Sequence, residues 1–146
     1  MDEIRPWLLI GKYRDTLNSA YLADKRVSAM LQLAEKVEQP NIVSLYLPIE
    51  DFAPIQHQFL REGVDFIRQQ KKNGHRILVA CGAGINRSSA FCAAAIKEEE
   101  GLSLFDAFQE VKKKHIESLP HEPVWESLCK FCNETTPYLE VMMVRV

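Results

Sequence analysis

The stretch Ile77-Leu78-Val79-Ala80-Cys81-Gly82-Ala83-Gly84-Ile85-Asn86-Arg87-Ser88 constrains this chain more than any other. Arg76 to Ala80 is the clearest buried strand, an apolar run of β-formers without a polar break. It feeds Cys81-Gly82-Ala83-Gly84, where glycine permits tight backbone geometry. Ser88 to Glu100 then reads as a helix that is almost wholly apolar through Ile96, so it needs cover on most of its sides. A buried strand, a tight loop and a central helix in that order belong to an α/β fold, a sheet covered by helices.

The rest of the chain alternates in the same way. Trp7 to Ile10, closed by Gly11, reads as a strand, and Asp15 to Asp24 as a helix. Val27 to Ala34 alternates as a strand does, and Glu35 to Asn41 is a polar loop with Pro40. Ile42 to Leu47 is predicted as a second central strand ending at Pro48. Pro48 to Pro54 is a loop carrying Glu50 and Asp51. A helix is expected from Ile55 to about Lys72, with Phe59, Gly63, Phe66 and Ile67 inward and Asn73-Gly74 as its stop. Ser103 with Asp106 resembles a capping box, ahead of a helix carrying Leu104, Ala107, Phe108 and Val111 to about His115. The last helix runs from about Pro123, with Trp125, Leu128, Cys129 and Cys132 as its stripe. The apolar tail Tyr138 to Val146 has no assigned place. There is no repeat and no boundary, so 1–146 is expected to form a single domain with a short, mostly parallel central sheet flanked by helices.

Charge and composition narrow the function. Hydrophobic residues are 47% of the chain, enough for a core without disulfides or metal. A formal net charge of -2 gives no global electrostatic case for nucleic acid or a membrane surface. Met1 to Pro6 is too short for a signal peptide, and no apolar run approaches the roughly 20 residues of a bilayer span. The expectation is a soluble cytoplasmic protein. Four irregularly spaced cysteines do not form a secreted disulfide framework.

The loop itself suggests chemistry. A strand that turns tightly into a helix N-terminus aims several backbone N–H groups at one point, and the helix dipole adds positive potential. The amides from Gly82 through Ala83, Gly84, Ile85 and Asn86 to Arg87 therefore make a cradle for an anion. A cysteine at the mouth of that cradle loses its proton easily, and Arg87 offers a planar fork to phosphate oxygens. The competing reading makes Cys81 a core thiol and Arg87 a surface residue; the strand–loop–helix context favours the chemical one. Gly82-x-Gly84 is no dinucleotide fingerprint, because Arg87 stands where the third glycine belongs. Cys129 and Cys132, even with His115 and His121, read as core packing rather than a zinc site. His57 and His75 are read, like those two histidines, as local structural or surface residues. Lys112-Lys113-Lys114 reads as the positive end of a helix.

Cys81 to Arg87 followed by Ser88 resembles the Cys-x5-Arg-Ser/Thr signature of the cysteine-based protein tyrosine phosphatases. Gly84 and the Arg87-Ser88 pair resemble their small dual-specificity branch. The likeness runs from about Ile4 to about Asn133. It includes Leu8-Leu9-Ile10-Gly11, similar to that branch's opening strand. It also includes Leu45-Tyr46-Leu47-Pro48-Ile49-Glu50-Asp51, similar to the strand and loop that carry its general acid. The resemblance implies that Cys81 forms a phosphocysteine and that Arg87 and the amides of Gly82 to Arg87 hold the phosphoryl oxygens. Asp51 would protonate the leaving oxygen, with Glu50 as its neighbouring rival, and Ser88 would stabilise the departing thiolate. It implies no metal and no cofactor. The substrate implied is a phosphoprotein, with phosphotyrosine first and phosphoserine or phosphothreonine as further candidates. Asn86-Arg87 is similar to some RNA 5′-triphosphatases of the superfamily, and a phosphate-binding module without turnover is the alternative of a different class. One departure stands out: the family usually has His before the cysteine, where this chain has Ala80.

Overall fold

The structure is a computed structural model and describes residues 1–145. Its centre is a five-stranded sheet in the order β1-β2-β5-β3-β4. The strands are β1 (Asp2–Arg5), β2 (Leu8–Lys12), β3 (Ala29–Gln32), β4 (Val43–Tyr46) and β5 (Ile77–Cys81). Only the β1–β2 pair is antiparallel; β2–β5, β5–β3 and β3–β4 are parallel. Every residue of β5 is buried, as its unbroken apolar run requires of a middle strand.

Side chains alternate across the sheet and divide the core in two. Leu9, Met30, Leu78 and Ala80 face one side, where Leu22 of α2 (Ser19–Asp24) and Val27 cover them. Leu8, Ile10, Leu31, Ile77 and Val79 face the other. There they meet α3 (His57–Lys72), α4 (Arg87–Glu100), α5 (Leu104–Lys114) and α6 (Glu122–Cys132). Helix α4 is buried without interruption from Arg87 through Ile96. Gly63 of α3 lets it approach closely, since a Cβ there would lie 2.3 Å from Phe91 Cε1.

Several expectations need correction. Ile42–Leu47 supplies no central strand: β4 is the sheet edge, with Val43 and Ser44 exposed. Its β-formers satisfy an edge as readily as a centre. The helix expected over Asp15–Asp24 is two, α1 (Tyr13–Thr16) and α2, because Asn18 starts a new one by accepting the Tyr21 N–H on its Oδ1. Strand β1 was not anticipated, since its one apolar residue, Ile4, stands among charged ones and is the only one buried. Helix α3 turns Leu60, Gly63, Val64 and Ile67 inward, and leaves Phe59 and Phe66 half-buried at its margins. In α6 the buried residues include Val124, Trp125 and Leu128, while Cys129 and Cys132 are only half-buried against the core. The tail holds a short α7 (Tyr138–Met142) anchored by buried Val141 and by the Tyr138 hydroxyl donating to Pro120 O at 2.7 Å. Val146, the end of that tail, lies outside the described residues. No helix among the described residues is long and apolar enough to cross a membrane.

Candidate active site

Cys81 ends β5, and Arg87 begins α4, so the loop between them lies outside the carboxyl end of the central strand. That is where parallel sheets place their ligands. The loop carbonyls are tied outward. Gly82 O accepts from Tyr13 N at 3.4 Å, and Ile85 O accepts from Leu119 N at 3.1 Å and Ser89 Oγ at 2.6 Å. Gly84 O lies 2.6 Å from His115 Nε2, and Asn86 O accepts from Ala90 N at 3.2 Å. Across a trans peptide the C=O and N–H point opposite ways. Each outward carbonyl therefore turns the next N–H inward, at Ala83, Ile85, Asn86 and Arg87. No N–H from Gly82 to Ser88 donates to another group among the described residues. Gly84 has φ +72°, and a Cβ there would lie 2.8 Å from Gly11 O, so only glycine fits.

The side chains converge on the same point. Cys81 is buried, with Sγ 3.2 Å from Ser88 Oγ. Arg87 is only 8% exposed. Its Nη1 donates to Ile49 O at 2.7 Å and Leu33 O at 3.3 Å, which orients the guanidinium. Nη2 sits beside Gly82, where a Cβ would lie 3.2 Å from it, and Nε has no hydrogen-bond partner. A buried N–H donor without a hydrogen bond is costly. The Nε–Nη2 edge lies beside the inward amides, where it can donate to an anion.

Asp51 reaches this edge from the loop before α3. Its Oδ1 lies 3.6 Å from Arg87 Nε and accepts from Asn86 Nδ2 at 2.6 Å. Phe52 stacks on His121, with ring centroids 4.4 Å apart and planes 13° apart. Asp51, Phe52, Cys81, Ala83, Ile85, Asn86 and His121 enclose a pocket of about 120 Å³. Glu50 points elsewhere, into a separate hollow with Pro48, Pro54 and Phe59. A larger open groove of about 790 Å³ along α3 is lined by Glu62, Asp65, Arg68 and Glu99 among others, and contains no nucleophile.

The structure also brings in residues that sequence reasoning had left as merely structural or had passed over. His115 is buried between two acceptors, Gly84 O and Asp2 Oδ2, each at 2.6 Å. Glu117 Oε1 stands 3.4 Å from Nε2. His115 thus braces the loop from outside, where Ala80 cannot. The sequence showed the departure at Ala80 but gave no sign that His115 would support the loop. His121 contributes its ring to the Phe52 stack and its backbone N–H to Asn86 Oδ1 at 2.7 Å.

The other cysteines are packing residues. Burial pushes the Cys92 and Cys129 thiols up, and Cys132 up to about 11. No cluster of three or more His, Cys, Asp or Glu among the described residues is placed to hold a metal ion, so Cys129 and Cys132 with His115 and His121 form no zinc site. Of the lysine run, Lys112 Nζ donates to Ser118 O and Lys113 pairs with Glu110 at 2.8 Å.

Residues 8–134 match the family described as "Dual specificity phosphatase, catalytic domain". The chain is 27% identical over 140 residues to dual specificity protein phosphatase 5 of Rattus norvegicus, covering 92% of this chain and 36% of that protein. It is 31% identical over 116 residues to dual specificity protein phosphatase 16 of Homo sapiens, covering 76% of this chain and 17% of that one. The chain thus spans little more than a third of the first relative and under a fifth of the second. The crystal structure of human DUSP28 superposes with a TM-score of 0.84 at 26% identity, covering 91% of this chain and 96% of that one.

Proposed function

The chain belongs to the dual specificity phosphatase catalytic-domain family, and we propose that it hydrolyses phosphate monoesters on proteins through a phosphocysteine. The observation that carries this reading is the ring of inward amides with the unpaired Arg87 edge, all around Cys81. An equatorial trio of phosphoryl oxygens can accept from those donors, which are oriented before the reaction begins.

The thiolate of Cys81 attacks phosphorus, and the bond to the leaving oxygen breaks as Asp51 gives that oxygen a proton. A water then attacks the phosphocysteine and gives its proton back to Asp51. The S–P bond breaks, and the Ser88 hydroxyl, 3.2 Å away, donates to the returning thiolate. Arg87 and the loop amides bear the phosphoryl charge in both steps.

Phosphotyrosine is the first substrate. Phe52, Ile85 and Ala83 give the pocket an apolar rim suited to its ring, and phosphoserine and phosphothreonine follow as smaller esters. A nucleophilic thiol has to stay reduced, and all four cysteines are free, so the proposed compartment is the cytoplasm. The test is Cys81→Ser. This variant is expected to keep its affinity for inorganic phosphate and to lose turnover of a phosphotyrosine peptide; steady hydrolysis by it would overturn the nucleophile.

A further inference from the structure

The cradle takes only the backbone N–H of Asn86, yet the side chain of that residue is among the most constrained in the site. It is 3% exposed, and both ends of the amide are bonded. The His121 N–H is a donor, so it requires the oxygen of the amide, at 2.7 Å. That fixes which way the amide lies and turns Nδ2 toward Asp51 Oδ1, at 2.6 Å. A second tie runs parallel to the first, since Phe52, next to Asp51, stacks on the ring of the same His121. Phe52 holds φ at +63°, a region that bulky residues avoid, so these contacts keep the backbone in a turn it would otherwise leave.

We infer that Asn86 is a positioning residue that docks the general acid over the phosphate site before substrate arrives. The inference rests on the proposed role of Asp51. Asp51 sits in a segment without regular structure, and its side chain is 36% exposed. Left free, such a side chain would sample several rotamers, and few of them would face the leaving oxygen. The shorter Asn86 bond selects one of these, and with the Phe52 N–H at 3.1 Å it occupies Oδ1, which leaves Oδ2 as the atom to carry the transferred proton. Asn86 is thereby a crosspiece between the acid loop, the phosphate loop and the start of α6.

A double-mutant cycle on the full chain tests this, with a phosphotyrosine peptide and an activated aryl phosphate as paired substrates. Asn86→Ala is expected to lower kcat on the peptide by roughly 10- to 100-fold, the scale of a misplaced reacting group, with KM little changed. The loss on the activated ester, whose phenol leaves readily as an anion, should be smaller. In an Asp51→Asn background the same change should add almost nothing. Equal losses on both esters, or fully additive losses, would overturn the inference by tracing the effect to the cradle. A crippled Asp51→Asn beside a normal Asn86→Ala overturns this inference alone. A near-normal Asp51→Asn overturns the general-acid assignment and the inference with it. Asn86→Ser keeps a small polar side chain but is too short to span both partners. It carries the same expectations should the alanine variant fold poorly.

Discussion

Two regions of the molecule rely on arginine, and they use it in opposite ways. On the outer face of α3 and α4, Arg61 pairs with Glu98 at 2.6 Å and Arg68 with Glu98 at 2.9 Å and Glu99 at 2.8 Å, while Lys71 pairs with Glu99 at 2.7 Å. Those charges have partners, and the two arginine side chains are about 40% open to water. At the phosphate loop, Arg87 is buried, its Nη1 is spent on two carbonyls and its Nε donates to nothing. The first network is complete as it stands. The second leaves N–H donors on Arg87 and on the loop backbone without hydrogen bonds, even with Asp51 Oδ1 at 3.6 Å. Unsatisfied burial, more than charge or residue type, separates the arginine proposed to hold phosphate from the structural ones.

The comparison breaks most easily at Arg87. Arg87→Lys keeps the charge but loses the fork. It should cut kcat/KM by roughly 10²–10³-fold, the usual worth of a transition-state donor, while Arg68→Lys stays near wild type in steady-state kinetics. Similar losses in both would erase the distinction. A smaller effect is expected at His115. His115→Gln loses the doubly bonded brace on Gly84 O, freeing that peptide to turn its Ile85 N–H out of the cradle. Inorganic phosphate should then inhibit about tenfold less tightly, as for one lost charge-oriented hydrogen bond. Unchanged phosphate inhibition would show that the loop holds itself.

The smallest effect belongs to the satisfied network. Burial pushes the Glu98 carboxyl up, but the bonds from Arg61 and Arg68 outweigh it and hold the group low; those from Arg68 and Lys71 hold Glu99 low. Carboxylates whose folded pKa is depressed stabilise the fold above their ordinary value of 4.5. That contribution is lost as pH falls through the lower folded value. Glu99→Gln should cost no more than about 1 kcal/mol, discounted for solvent screening, and flatten part of the acid limb of a urea-unfolding series. Activity should not change. A marked loss of turnover would contradict a purely structural role.

What could be read in the sequence follows chain proximity. Cys81, Arg87, Ser88 and the amides between them are contiguous, so strand, glycines and helix announced their geometry together. Asp51 was identified only through resemblance, because its tie to Asn86 spans 35 residues. The brace from His115 to Gly84 spans 31 and left no local trace. Strand β1 escaped notice because its pairing with β2, rather than its own polar residues, makes it a strand. Strand β4 was placed at the centre because β-propensity does not distinguish an edge from a middle position.

The outward ties of the loop carbonyls have a consequence for the order of assembly. Tyr13 and the turn that holds His115 and Leu119 lie far apart along the chain, and each must arrive before its peptides are locked. The parallel pairing of β5 with β2 and β3 is longer in range than the ties to His115 and Leu119, and the cradle closes only once the sheet that carries Cys81 is in place. A local opening that lifted only the turn from His115 to Leu119 would release two of the ties and leave the buried sheet untouched. The activity proposed for this fold then depends on its last-formed and first-opened contacts, which are less durable than the core that carries them.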